Sequence, residues 1–329
     1  MSHDPKAYAG RPLRAGVIGV GYLGRFHAMK YQNIDNVELA CVVDSDAQRA
    51  LEVGEELGVP HGTDYRDWLE QLDLVSIVVS TPYHYKVALA CLEAGVHILL
   101  EKPITVTVEE ADELVDLAER TNMVLQVGHL KRFHPAVVAL KESGLLKPPR
   151  FIQAQRLAPF KSRALDVDVV LDLMIHDVDL ILSFVDSDVD RVEAIGAPVL
   201  TDKIDMANAR LHFANGCVAD VTASRVAQNA TRQMRIFQED AYVKLDFATK
   251  GIQVLARAEG TMELEGVQVP ALEEKRLTIH DYDTLEAEVS AFCHAVRNGE
   301  DPLVTGRDGR RALEVVERVR TSVMENRPA

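Results

Sequence analysis

Three glycines, Gly19, Gly21 and Gly24, stand in the spacing Gly-x-Gly-x-x-Gly, with Tyr22 and Leu23 in the last gap. Asp44 lies twenty residues beyond Gly24. A strand signal precedes the glycines and a helix signal follows them. In that setting the first glycine permits a tight turn, the second lets the backbone approach a pyrophosphate, and the third lets helix and strand pack closely. The helix start offers N–H groups and a positive dipole end to phosphates. A carboxylate at Asp44 suits the hydroxyls of an adenine ribose and repels a 2′-phosphate, which favours NAD over NADP. Arg49 lies one helical turn on and can reach back toward that position. A tight turn with no ligand is the plainer account of the glycines. For Asp44 the plainer account is a helix N-cap, which Asp46 fills equally well.

A second set of groups sits on one apolar segment. Asp172, His176 and Asp179 form a narrow polar stripe on a stretch whose other faces carry Leu171, Ile175, Val178, Leu182, Leu173, Leu180 and Phe184. A helix apolar nearly all round is buried, and buried charged groups must be paired or face a cleft. Asp172 and His176 are one turn apart, about 6 Å at Cβ. That spacing suits an aspartate orienting an imidazole for proton transfer; a purely structural pair fits the pattern equally. Three ligands on one helix rarely converge on an ion, so no metal is expected. Lys102 follows a short apolar strand, at the end where open α/β sheets bind ligands, and Pro103 stiffens its turn. An ammonium there can stabilise a developing alkoxide, although most lysines are simply solvated. His129 and Arg132, with His134 nearby, are candidate substrate contacts. Arg156, Lys161 and Arg163 form a basic cluster that would suit an anionic group.

The elements that must position these groups change character along the chain. Short β-branched runs at Ala15–Gly19, Leu39–Asp44, Leu74–Ser80, His97–Leu100 and Val124–Val127 alternate with amphipathic segments such as Val108–Arg120. This predicts βαβ units and a doubly wound parallel sheet. After about Pro135 a long helix over Leu171–Val185 is expected, then period-two strands around Ala207–Phe213 and Val243–Phe247. Such alternation marks a mostly antiparallel sheet with one face on the core. Asn215-Gly216 is a hairpin signal. Two helices close the chain, the first carrying Leu285, Val289, Phe292 and Val296 on one face and stopping near Gly299. The division expected is a loose tail over 1–12, a dinucleotide-binding Rossmann domain over 13–131, and an α/β domain for substrate and oligomerisation over 132–329.

Composition removes several classes of function. The 329 residues carry a formal charge of −15, against nucleic acid or an anionic membrane as partner. No run approaches the roughly 20 apolar residues that span a bilayer, and Met1–Pro12 has no apolar signal core. Cys41, Cys91, Cys217 and Cys293 are widely spaced, as expected of free thiols in a reducing cytoplasm.

The stretch Gly-Val-Ile-Gly-Val-Gly-Tyr-Leu-Gly-Arg-Phe-His-Ala over 16–28 resembles the N-terminal signature of the glucose-fructose oxidoreductase, inositol dehydrogenase and rhizopine-catabolism (Gfo/Idh/MocA) family. Glu101-Lys102-Pro103, after Ala94–Leu100, is similar to its second signature. Asp172-Leu-Met-Ile-His176-Asp-Val-Asp179 is similar to its third. The resemblance implies a Rossmann domain followed by an α/β domain with a large, mostly antiparallel sheet. It implies tightly bound NAD(P) and dehydrogenation of sugars, cyclitols or their nucleotide conjugates, with Ser80, Thr81, His84 and Glu101 joining the glycine loop, Asp44 and Lys102 around the cofactor. It further implies that Lys102, Asp172 and His176 act together. His176, a residue with an ordinary pKa of about 6.5, takes the hydroxyl proton, Lys102 polarises the oxygen and Asp172 holds the imidazole.

Two departures stand out. The family's Thr-Pro-Asn-x-x-His is replaced by Ser80-Thr81-Pro82-Tyr83-His84, with the proline shifted, and its glycine triplet by Asp168-Val169-Val170. Gly128–Phe133, Arg156–Phe160 and Asp168–Asp177 resemble a branch associated with nucleotide amino-sugar oxidation, which implies UDP-N-acetylglucosamine oxidised at its 3-hydroxyl. A free cyclitol or sugar substrate, or a non-catalytic NAD-binding regulator, are the alternatives. The retained Lys102, Asp172 and His176 speak against the regulator. A homodimer or homotetramer is expected.

Overall fold

A computed structural model describes Tyr8, residues 10–160 and residues 167–326. Lys161 and Arg163 lie outside the described residues, as does most of the expected tail. The described chain divides into two compact units. The first runs to Phe133 and includes Tyr282–Leu313; the second is His134–Asp281 with Glu314 onward.

In the first unit, every residue of β1 (Leu13–Ile18) except Arg14 is buried. A strand buried on both faces belongs in the middle of a parallel sheet covered on both sides. The chain continues through α1 (Tyr22–Asn33), β2 (Val37–Val43), α2 (Ala47–Leu57), β3 (His61–Gly62), β4 (Leu74–Ile77), α3 (His84–Glu93), β5 (His97–Glu101), α4 (Val108–Thr121) and β6 (Leu125–Gly128). The six strands form one parallel sheet in the order β3-β2-β1-β4-β5-β6, the doubly wound arrangement that alternation of strand and helix signals calls for. Thr107 starts α4 with a capping box: its side chain accepts from the Glu110 N–H, and the Glu110 carboxylate accepts from the Thr107 N–H. Asn122, at φ 56°, ends it.

The second unit begins with α5 (Pro135–Glu142) and β7 (Phe151–Leu157). A π-helical turn, Val170–Met174, leads into α6 (Ile175–Phe184), where one uninterrupted α-helix was expected. Strands β8 (Val189–Ala197), β9 (Met206–Phe213), β10 (Val218–Ser224), β11 (Thr231–Phe237), β12 (Ala241–Asp246), β13 (Gly251–Leu264) and β14 (Val267–Lys275) follow. They join β7 in an eight-stranded sheet of order β14-β13-β12-β11-β7-β10-β9-β8. Among the described residues of this sheet only the β7–β10 pair is parallel. The Asn215-Gly216 hairpin joins β9 to β10, with Gly216 at φ 85°. Alternation holds along the sheet: Ile152, Ala154, Ala209, Leu211, Val221, Met234 and Val243 are fully buried, while Gln153, Gln155, Asn208, Asp220 and Gln233 on the other face are half-buried.

The chain closes with α7 (Thr284–Asn298), ended by Gly299 at φ 66°, and α8 (Gly306–Glu325). Helix α7 corrects the expected division at residue 132. Its apolar stripe, Val289, Phe292 and Val296, shares a core with Leu13, Val17, Tyr31, Leu74 and Leu99 of the first unit. Each such fully buried side chain is worth about 1.5–3 kcal/mol, so the stripe, not chain order, decides where the helix packs. Among the described residues no helix is long and apolar enough to cross a membrane.

Candidate active site

The glycine turn between β1 and α1 has the shape its spacing requires. Gly19 sits at φ 87°, and a Cβ there would meet the Val78 carbonyl oxygen at 2.6 Å. A Cβ on Gly24 would meet the Gly19 carbonyl oxygen at 1.8 Å. Gly21 differs: a Cβ would find nothing nearer than Arg49 Nη1, at 3.8 Å. Among the described residues nothing fills the space over Gly21, and no side chain caps the N-terminus of α1. Tyr22 beside it is 82% exposed. An open cradle over backbone N–H groups at a helix start fits a pyrophosphate. Asp44, buried at the end of β2, accepts from the Val20 N–H through Oδ2 (2.9 Å) and from the Asp46 N–H through Oδ1 (3.0 Å). Asp46, not Asp44, is the N-cap of α2. Asp44 therefore braces the turn.

The turns after β4 and β5 are tied to each other. Ser80 is exposed and Thr81 half-buried in a short 3-10 turn leading to His84. His84 itself is buried, with Nδ1 2.8 Å from the Pro103 carbonyl and Nε2 3.0 Å from that of Val79. Burial holds its pKa below the usual histidine value, against the pull of those carbonyls. The expectation that His84 contacts the cofactor is corrected: both ring nitrogens point at protein carbonyls, so it fastens the two turns. Glu101 is corrected likewise. Its carboxylate turns inward, accepting from the Lys102 N–H (3.2 Å) and lying 3.3 Å from His27 Nε2. A side chain at Gly128 would collide with it at 2.9 Å. Burial pushes the Glu101 carboxyl up, but His27 and the Lys102 charge outweigh burial and hold it below the ordinary value. Lys102 is half-buried at this turn, not a freely solvated surface lysine.

In the second unit, Asp168 anchors the helical run. Its Oδ1 accepts from the Val170 and Leu171 N–H groups, and its Oδ2 from Arg320 Nε at 2.8 Å. The π turn is closed by the Ile175 N–H on the Val170 carbonyl. Asp172 lies within the π turn and His176 in the first turn of α6. Both are half-buried while Met174, Ile175, Asp177, Val178 and Asp179 around them are buried.

The remaining candidates separate. Arg156 is corrected: it lies on the covered face of β7 and donates from Nε and Nη2 to Asp177, 2.7 Å each, with both residues buried. The even–odd alternation of the strand turns it inward, and its fork is committed. Arg132 also points inward, buried with Nη2 3.4 Å from Asp308 Oδ1. His129 is buried at the end of β6. His134 caps α5, its Nδ1 accepting from the Ala136 N–H. Asp168, Asp177 and His27 are the residues of consequence that sequence reasoning passed over. An Asp opening an apolar helix was a visible cap signal for the first; the other two stand inside the quoted signatures, but nothing local named their partners. The cysteines are buried, and burial raises Cys41 and Cys293 to about 12 and Cys217 to about 11, so none is a ready nucleophile.

Comparison with known proteins now bears on this geometry. Residues 13–129 match the oxidoreductase family with an NAD-binding Rossmann fold, and residues 147–244 match the GFO/IDH/MocA C-terminal domain. The chain belongs to the Gfo/Idh/MocA oxidoreductase family. It is 42% identical over 311 residues to a UDP-N-acetylglucosamine 3-dehydrogenase of Acidithiobacillus ferrooxidans, covering 94% of this chain and 97% of that one. The solved structure of that enzyme superposes with a TM-score of 0.86, covering 95% and 98% of the two chains. A myo-inositol 2-dehydrogenase of Thermotoga maritima is 26% identical, covering 96% of this chain and 97% of the relative. A scyllo-inositol dehydrogenase from Lactobacillus casei, solved with NAD(H) and scyllo-inositol, shares the fold at 21% identity and a TM-score of 0.77, covering 96% and 98%. This chain is thus an NAD-binding oxidoreductase, a dehydrogenase acting on CH–OH groups.

Proposed function

We propose that the protein oxidises the 3-hydroxyl of UDP-N-acetylglucosamine with NAD. The single observation that carries the substrate is the 42% identity, over nearly the whole chain, to an enzyme of that name; the inositol dehydrogenases are markedly more distant. Bound NAD supplies the hydride acceptor. His176 takes the hydroxyl proton, and Asp172, one turn earlier, orients its imidazole. Lys102, set by its turn at the end of β5, donates to the same oxygen and stabilises the alkoxide that develops. Asp44 holds the glycine turn and favours NAD over NADP. The basic group expected for the diphosphate is Arg163 with Lys161, since Arg156 is engaged with Asp177. The reading also includes a reducing cytoplasm and a homo-oligomer.

The test is spectrophotometric. NAD reduction is followed with UDP-N-acetylglucosamine and with myo-inositol, in wild type and Lys102→Met. Turnover of the nucleotide sugar is expected, lost in Lys102→Met while NADH still binds. Turnover of inositol alone, unaffected by Arg163→Ala, would overturn the substrate assignment, and a Lys102→Met variant with near-normal kcat would remove Lys102 from the mechanism.

A further inference from the structure

Behind the Lys102 turn, the first unit buries three titratable groups that the mechanism leaves unused. His27 of α1, Glu101 at the end of β5 and Glu288 of α7 bring ligand atoms within 4.8 Å of one another. His27 and Glu288 are fully buried, and the Glu101 side chain is 13% exposed. Tyr31 and Ser76 extend the group: the Tyr31 hydroxyl lies 2.8 Å from Ser76 Oγ, which lies 3.1 Å from His27 Nδ1. Burial, with the nearby Cys293 and Glu288, raises the Tyr31 pKa, so the phenol keeps its proton and can donate. The Tyr31 hydroxyl, Ser76 Oγ and His27 Nδ1 thus form one connected run, and the far side of the ring sets Nε2 3.3 Å from Glu101 Oε1.

The charge of the cluster follows from counting. Two ionised carboxylates with a neutral imidazole would bury a charge of −2, with like charges in close proximity, which is strongly unfavourable. One added proton reduces this to −1 wherever it rests. Either Glu288 is a neutral acid beside a neutral imidazole, or His27 is an imidazolium between two carboxylates. A second added proton would remove the negative charge that the Lys102 N–H and the Lys102 side chain both face. One shared proton and a charge of −1 belong to the cluster as a unit. Glu101 ends a parallel strand, the edge at which such sheets bind dinucleotides.

We propose that His27, Glu101 and Glu288 form one buried anion, holding a single shared proton, that favours the oxidised, cationic nicotinamide over the reduced, neutral one. It offsets the repulsion that a cationic ring meets beside the Lys102 ammonium. This rests on the reading above only in setting Lys102 next to the nicotinamide.

The experiment measures dissociation constants of NAD+ and NADH by calorimetry in wild type and in Glu101→Gln/Glu288→Gln. Either single change lets the remaining carboxylate carry the charge, so each shifts the ratio less than the pair does. The double variant binds NADH and loses NAD+ affinity relative to NADH by about tenfold. An unchanged ratio in a double variant that binds NADH overturns the proposal. Should that variant fail to fold, the wild type decides at neutral pH. A buried carboxylic-acid carbonyl band that vanishes in Glu288→Gln, or an imidazolium signal from His27 in NMR, supports the shared proton; neither one present overturns it. One equivalent of divalent metal in the purified protein also overturns it, since that cation would cancel the charge. The ratio needs no turnover, so failure of the Lys102 mechanism, read from Lys102→Met kinetics, is separable from failure of the cluster.

Discussion

Arg156 carries a lesson at the scale of single residues. Its position in a basic run invited an anion-binding role, yet its Nε and Nη2 both donate to Asp177 at 2.7 Å in a buried pair. A buried ion pair adds little over an apolar pair of like volume, but removing one member strands a charge. Arg156→Met should therefore destabilise the protein by about 3–5 kcal/mol, measured by urea unfolding. Arg156→Met/Asp177→Leu should recover most of that loss. A single variant as stable as wild type, with KM for the nucleotide sugar raised, would return Arg156 to the substrate. The three corrected contacts, Arg156, His84 and Glu101, share one feature. Each is a polar residue of the expected type whose side chain points into the fold, where a neighbour remote in sequence takes it: Asp177, Pro103 or His27.

At the scale of elements, the start of α8 shows how the first unit depends on pH. Asp308 lies in its first turn, with Oδ2 accepting from the Thr305 N–H (2.9 Å) and hydroxyl (2.8 Å), and Oδ1 near Arg132. Burial pushes the Asp308 carboxyl up, but Arg132 and Thr305 outweigh it and hold it below the ordinary value. A carboxyl depressed by folding contributes stability that is fully present above its unfolded pKa of about 4 and is lost as pH falls through the folded value. Arg132→Met should lower stability at neutral pH and flatten the fall below about pH 4. Thermal unfolding between pH 6 and 3 checks it; parallel curves for the two proteins would show that Arg132 does not set this titration. The helical run bearing Asp172 and His176 makes a second point at this scale. Its apolar periodicity announced a helix, but no sequence rule distinguishes a π turn; Asp168 holds the first N–H groups of the run, and Arg320 holds Asp168.

At the scale of the whole molecule, the eight-stranded sheet has one apolar face and one polar face. The polar face is organised: Asn208 donates to Asp220 (2.8 Å) and Thr222 (2.9 Å), Gln233 to Asp246 (2.9 Å), and Arg235 to Gln153 (2.9 Å). Such a face, ordered and half-buried over many strands, is the proposed contact between copies. Sedimentation equilibrium should give a dimer or tetramer, and charges added to this face, Asn208→Asp with Gln155→Asp, should shift it toward monomer; a monomeric wild type would end that reading. The sequence alone determined the strand–helix alternation of the Rossmann half, the glycine turn, the period-two strands and the family, because each is written in local spacing: period two, period 3.6, or a motif of a few residues. Tertiary structure alone decided where α7 packs, that Asp44 braces the turn while Asp46 caps α2, and which polar side chains turn inward to meet each other. Those outcomes depend on which residues the sheet order and crossovers bring within about 3 Å, and pairs such as His27–Glu101, 74 positions apart, leave no trace in local spacing.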